Sequence, residues 1–309
     1  MLFYWRVRLL FYQKREFFWP GVVRPVFLFQ KRPPMNFQVF QSYWGMTDLP
    51  YLGDEWSREE KVAQIAEAGF DGVEFLMEES EHREAMVGHC EKYGLKRGNI
   101  VFPWSSEDFK ADVKAAVEGG AGHINLQPMP MPRTVAECVP YVRECIDIAG
   151  ESGIPLYFET HRDRMTTDMY FTLDLIEAVP EMVLCGDLSH FVVAREFAGP
   201  PISEQNQVYM TEIIERCGLF HGRVASREQV QIPISFPHNE IWLDLFAGWW
   251  EQGFKNFKAT APEDATLTFV VELGPVTYAM QGADGNELSD RWVEANRIKD
   301  LVREIWERC

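Results

Sequence analysis

What this chain lacks narrows it first. No unbroken apolar run reaches the roughly 20 residues that a membrane-spanning helix needs, so a membrane is not an expected partner. Cysteine is sparse and scattered, with six residues at 90, 138, 145, 185, 217 and 309 and no CxxC pair. That pattern excludes a disulfide scaffold and a thiolate zinc ribbon, and reads as the reduced thiols of a cytoplasmic protein. Positive charge is short as well. The 30 Lys and Arg face 47 Asp and Glu, for a formal net charge of −17. Such a surface repels phosphate backbones, which argues against nucleic acid and for a small-molecule partner. No glycine-rich fingerprint follows the first strand, so a dinucleotide-binding fold lacks its signature.

The first 34 residues do not resemble the remainder. They hold seven Lys or Arg against one acid, Glu16, with many aromatics and no clean periodicity. They lack the continuous apolar stretch and small-residue cleavage site of a secretory signal, and they are too aromatic and too poor in serine for a transit peptide. Residues 1–34 therefore read as an extension outside the domain, either an upstream translation start or a basic arm. The domain itself is expected over 35–309.

From Met35 onward, short apolar strands alternate with amphipathic helices. Strands are expected at 37–40, 72–75, 99–102, 123–127, 156–159, 182–187, 219–224 and 267–272. Helices are expected at 57–68, 79–93, 107–118, 135–149, 168–178, 207–217, 240–251 and 288–306, the first opened by the capping-box pair Ser57 and Glu60. Eight strands alternating with eight helices at roughly thirty-residue spacing predict a (β/α)8 TIM barrel.

Four strands share an unusual ending. GIPLYFETHRDR is apolar until it delivers Glu159, Thr160 and His161; MVLCGDLSH ends in Asp187 and His190; GLFHGR ends in His221 and Arg223; LTFVVELGP ends in Glu272. Barrel active sites lie at the C-terminal ends of the strands. Residues two apart in a strand share a face, so Tyr157 aligns with Glu159, Cys185 with Asp187, Leu219 with His221, and Val270 with Glu272. Taken singly, an acid after a strand is as readily a helix cap or a loop salt bridge. Together, three carboxylates and an imidazole converging from neighbouring strands repel one another unless a cation lies among them. A mixed oxygen and nitrogen set of that kind suits Mn²⁺, Co²⁺, Mg²⁺ or Zn²⁺.

The series Glu159, Asp187, His221, Glu272 resembles the metal quartet of the xylose isomerase-like barrel superfamily, in its sugar phosphate isomerase/epimerase branch, from about residue 35 to the C-terminus. The Asp187-x-x-His190 motif resembles that of ketose 3-epimerases, where the histidine contacts substrate hydroxyls. HGRVASR, from His221 to Arg227, resembles the family's seventh strand, in which an Arg six residues after the metal-binding His holds substrate. Arg227 has that spacing, and Arg223 is its rival. The resemblance implies one divalent ion, Mn²⁺ foremost, on Glu159, Asp187, His221 and Glu272, with Glu159 and Glu272 doubling as the groups that move protons. It also shows departures. Ketose 3-epimerases carry a further Glu six residues after the first ligand, where this chain has Met165, and the loop EQVQIPISFPHNE is not theirs.

The implied activity is isomerisation or epimerisation of a small sugar or polyol through an enediolate. A lyase on the same scaffold (dehydratase, decarboxylase or C-glycoside-cleaving) uses the same metal and base and is the alternative; a barrel that binds sugar without turnover is a third. Damaged-DNA cleavage of the endonuclease-IV kind is disfavoured by the charge and by the single imidazole of the quartet. No glycine-rich loop with basic neighbours follows strands seven or eight, which favours an unphosphorylated substrate. His161 and Gln127 are further substrate-binding candidates. Glu74 reads as a pocket acid or a salt-bridge partner, His123 as an interior histidine, and His238 as a lid or solvated residue. Trp44, Phe102 and Trp104 are candidates for an apolar pocket wall. His82 and His89 read as surface or packing residues. The stripe Trp242, Trp249 and Trp250 reads as core packing or the contact face of a homo-oligomer.

Overall fold

The computed structural model describes residues 35–309, so the expected extension over 1–34 lies outside the described residues. Eight parallel strands close into a barrel in sequence order. They are β1 (Asn36–Ser42), β2 (Gly72–Phe75), β3 (Lys96–Val101), β4 (Ile124–Leu126), β5 (Leu156–Glu159), β6 (Leu184–Gly186), β7 (Cys217–Gly222) and β8 (Thr266–Val271). Closure is made by β1 against β8, in register from Asn36 with Thr266 to Gln41 with Val271. This is the (β/α)8 barrel that the alternation predicts.

The helices around it are α1 (Arg58–Glu67), α2 (Ser80–Tyr93), α3 (Ser106–Gly119), α4 (Val135–Ser152), α5 (Met169–Ala178), α6 (Ser189–Ala194), α7 (Glu204–Ile214), α8 (Glu240–Thr260) and α9 (Arg291–Arg308). Local chemistry fixes several starts. Ser57 and Glu60 form a complete capping box at α1, and Thr134 and Glu137 form another at α4. Several outcomes differ from expectation, among them three helices. The six-residue α6 after β6 was not anticipated, α8 runs nine residues past Glu251, and α7 begins and ends three residues earlier than expected.

The tryptophan stripe on α8 is core packing: Trp242, Trp249 and Trp250 are all buried within the single chain. No helix among the described residues is long and apolar enough to cross a membrane.

Inside the barrel the strands' inward faces stack in layers. Phe40, Cys185, Leu219 and Val270 pack with Tyr157 as an apolar plug. Two residues further along the same strands come Ser42, Glu159, Asp187, His221 and Glu272, so the alternation that builds the plug also raises the polar layer above it. His123 crosses the interior close to β3. A Cβ on Gly98 would stand 2.4 Å from its ring, so a glycine makes room for the imidazole there.

Candidate active site

Glu159 ends β5, His221 lies in β7, and Asp187 and Glu272 each follow their strand by one residue. All four are buried, at 3% exposure or less. One ligand atom from each lies within 4.8 Å of every other, a spread that a single metal ion can bridge.

The second oxygen of Glu159 is held from below. Asn125 Nδ2 and Gln127 Nε2, on the inward face of β4, donate to Glu159 Oε2 at 2.7 and 3.0 Å. Glu159 Oε1 has no hydrogen-bond partner among the described residues, although it is buried. A buried carboxylate oxygen without a donor is costly, and one aimed at an imidazole and two more carboxylates fits a metal-ligand role. On this test the donor set accommodates a divalent cation.

His221 presents Nδ1 to the cluster, 3.0 Å from Glu272 Oε2 and 3.8 Å from Glu159. Its Nε2 lies 3.1 Å from Asn125 Nδ2 and 3.5 Å from Glu74 Oε1, while Glu74 Oε2 is 2.8 Å from His123 Nε2. Asn125 and Glu74 thus meet the far side of the imidazole, and His123 holds Glu74 in turn. Asp187 is fixed by its own chain, with Ser189 donating to Oδ1 from both its amide and its hydroxyl.

Arg223 is the residue on which the electrostatics turn. It follows His221 by two and shares its inward face, and it is 1% exposed. Its guanidinium donates to Asp187 Oδ2 at 2.9 Å, to Glu272 Oε2 at 2.6 Å and to the Glu272 carbonyl at 3.1 Å. One planar fork therefore spans two carboxylates of the quartet. Its flat face lies over the ring of Tyr278 at 4.6 Å.

Proton affinities follow from this arrangement. Burial raises the carboxyl of Glu159 to about 8, opposed by His221 and reinforced by Glu272 and Asp187. Burial would raise Asp187 too, but Arg223 and then His190 hold it well below the usual carboxylate range. Glu272 is likewise lowered against burial, by His221 and Arg223. Glu74 falls to about 2 because its two histidine neighbours outweigh its burial. Burial opposes a charge on His221, yet Cys185, Glu272 and Glu159 around it lift the imidazole well above its ordinary value. His161 and His190 go the other way. Burial depresses both, His161 to about 2, so this neighbouring pair of rings, 4.0 Å apart, stays neutral.

Of the residues expected from sequence, Glu159, Asp187, His221, Glu272, Arg223, His190, His161 and Gln127 come together here. Arg227 does not. Its side chain is about half exposed and pairs with Glu196 and Glu228, away from the cavity above the cluster. His238 and Trp104 are also exposed and do not line that cavity, whereas Trp44 and Phe102 do. His82, expected as a surface or packing residue, contributes to the lining. Met165, at the departure from the epimerase pattern, is buried in the core. Tyr278 and Ser189 escaped sequence reasoning. Tyr278 stands in an irregular loop that carries no periodic signal, while the Asp-x-Ser spacing at 187–189 is a local turn pattern that points to the second.

A family model described as a xylose isomerase-like TIM barrel matches residues 62–223, more than half of the chain. The chain belongs to the xylose isomerase-like TIM barrel family. The matched span includes Glu159, Asp187, His190, His221 and Arg223. Among solved structures, members of similar fold include D-allulose 3-epimerase from Methylomonas sp. in complex with D-allulose, 14% identical over 88% of this chain and 98% of that one, with a TM-score of 0.55. Another is a xylose isomerase-like TIM barrel protein from Mycobacterium smegmatis in complex with magnesium, 14% identical over 88% and 97%, with a TM-score of 0.56. A third is a probable 3-DHS dehydratase, AsbF, from Bacillus anthracis, 14% identical over 87% and 97%, with a TM-score of 0.53. At such identities the likeness is one of fold. No curated protein matches the chain in sequence.

Proposed function

We propose that this family member is a divalent-metal-dependent enzyme that moves a proton at a carbon of a small sugar or polyol, as an isomerase or epimerase. The observation that carries the reading is the buried convergence of Glu159, Asp187, His221 and Glu272 within 4.8 Å, with an unpartnered oxygen on Glu159. These four residues would hold the ion, Mn²⁺ foremost. Bound there, a divalent ion supplies Lewis acidity, which makes a proton beside a substrate carbonyl easier to remove.

The remaining work falls to the chain's own side chains. Glu159 and Glu272 come from β5 and β8, and His221 on β7 lies between them. One carboxylate takes the proton, and the other returns it to the opposite face or to the adjacent carbon. Arg223 fixes Glu272 through a charged hydrogen bond at 2.6 Å, and Asn125 with Gln127 fixes Glu159, so neither carboxylate must reorient during transfer. His161 and His190, held neutral, are suited to donate to or accept from substrate hydroxyls. Neighbouring carbohydrate enzymes of the same fold, one solved with D-allulose and one with D-fructose, support the substrate class.

The test is solvent exchange. Ketoses, inososes and keto-acids are incubated in D₂O with Mn²⁺ and followed by NMR. Deuterium should enter a carbon next to a carbonyl in at least one of them, and Glu159→Gln or Glu272→Gln should abolish the exchange in a folded protein. Exchange that survives both substitutions refutes the assignment. A lyase would begin with the same proton removal and would differ by releasing water, carbon dioxide or an aglycone.

A further inference from the structure

The cavity above the polar cluster also carries large apolar side chains. That cavity has a volume of about 480 Å³, in the range of pockets that enclose drug-sized molecules. Gln127, His161, Arg223 and Glu272 follow β4, β5, β7 and β8, while β1 to β3 and the segments after them add the polar Ser42, Thr47, Glu74 and His82 together with the large apolar Trp44, Leu76 and Phe102. Among these, Trp44, Leu76 and Phe102 keep 41%, 44% and 38% of their surface in water. Large apolar side chains left wet beside a buried polar cluster mark a binding surface.

The fold holds this wall in place. Trp44 packs onto Gly274, where a Cβ would stand 2.2 Å from the indole ring, and it meets Tyr278 edge-on at 5.2 Å. The loop that carries it is tied down by Arg291, a fully buried residue whose guanidinium donates to the carbonyls of Gly45 and Thr47 at 2.6 Å each. Arg291 is in turn paired with Glu287 at 2.7 Å. An exposed indole would move freely unless something fixed it, and here a buried arginine and a dedicated glycine do so.

From this exposed but fixed apolar wall we infer that the substrate is not a bare sugar but carries a flat apolar group, an aromatic ring joined to its sugar or polyol part. The hydroxylated part faces the cluster, and the ring lies against Trp44 and Phe102. The inference rests on the reading of the polar cluster as a sugar site. An aromatic group gains there both by leaving water and by offset or edge-on contact with the indole, whereas a monosaccharide has no apolar face large enough to cover Trp44, Leu76 and Phe102.

Matched binding measurements on the full chain with Mn²⁺ test this. The probes are phenyl and methyl β-D-glucopyranoside, β-D-galactopyranoside and β-D-xylopyranoside, titrated by calorimetry, with xylobiose and cellobiose as controls. In at least one pair the phenyl glycoside should bind about tenfold more tightly than the methyl glycoside, a difference of about 1.4 kcal/mol. Trp44→Ala and Phe102→Ala should each erase most of that ratio. Gly274→Ala, which displaces the indole without deleting it, should do the same, so the result does not hang on one variant that folds poorly. Equal binding of phenyl and methyl partners, binding by no probe, a ratio that survives both alanine variants, or a disaccharide that binds as tightly as the phenyl glycoside overturns the inference. Proton exchange in simple sugars without any aryl preference would sink this inference alone. An aryl preference in a protein that binds no metal and exchanges no proton would sink the proposed function instead.

Discussion

Replacing Arg223 with methionine isolates the electrostatics of the cluster. Methionine keeps an unbranched side chain in the same space but removes the fork that joins Asp187 to Glu272 at 2.9 and 2.6 Å. All three side chains are buried, so little solvent screens the loss. Removing one partner of a buried ion pair costs about 3–5 kcal/mol, because the surviving charges are left without a counter-ion. In a domain of this size each kcal/mol lowers the melting temperature by about 2–4 °C, so Arg223→Met should melt roughly 6–20 °C below the parent in EDTA. A divalent cation neutralises the same carboxylates. Mn²⁺ at 100 times its Kd stabilises by about 2.7 kcal/mol in either protein, but at a fixed Mn²⁺ concentration the variant, whose carboxylates attract the ion more strongly, should gain more. Scanning calorimetry with EDTA and with Mn²⁺ reads both effects. Arg223→Lys, which keeps the charge but not the planar fork, should fall between the two. The reasoning is refuted if Arg223→Met melts within about 2 °C of the parent in EDTA, or if fixed Mn²⁺ shifts both proteins equally.

Further outcomes follow from the same geometry. Glu159 is raised to about 8 and His221 is raised well above its ordinary value, so a cation must displace protons from both. Mn²⁺ affinity should therefore strengthen as pH rises from 6 to 8, with proton uptake by the buffer visible in calorimetry across buffers of different ionisation enthalpy; pH-independent affinity contradicts the assignment. Glu74→Gln removes the anion 3.5 Å behind His221 Nε2 and should weaken Mn²⁺ binding by about 10–100-fold while the barrel remains folded by circular dichroism. Unchanged affinity would show that Glu74 serves His123 alone.

Much of this was legible in the sequence, for a physical reason. A parallel barrel buries its strands on both faces and its helices on one, so the alternation of short apolar runs with amphipathic segments survives as a readable pattern. The candidate ligand residues stood out because Glu159, Asp187, His221 and Glu272 interrupt apolar runs at their C-terminal ends. Spacing alone misled for the arginines. Six residues beyond His221, Arg227 has left β7, which ends at Gly222, and the turn held by Ser226 Oγ to the amides of Glu228 and Gln229 carries it to the surface. Strand parity favours Arg223, which stays on the inward face.

The extent of α8 was hidden by Gly253, a poor helix former placed where a Cβ would meet the Phe220 ring at 2.3 Å. The helix accepts the glycine in order to pack closely on β7. The short helix α6 is too brief to show a period. The apolar wall of Trp44, Leu76 and Phe102 depends on which loops meet in space, and no local pattern carries that.

Anomalous diffraction from Mn²⁺-soaked crystals tests the central claim most directly. One peak is expected within bonding distance of Glu159 Oε1, His221 Nδ1 and the carboxylates of Asp187 and Glu272, and it should vanish in crystals of His221→Ala. A peak elsewhere, such as one held by His161 and His190, or no peak at saturating Mn²⁺, contradicts the account.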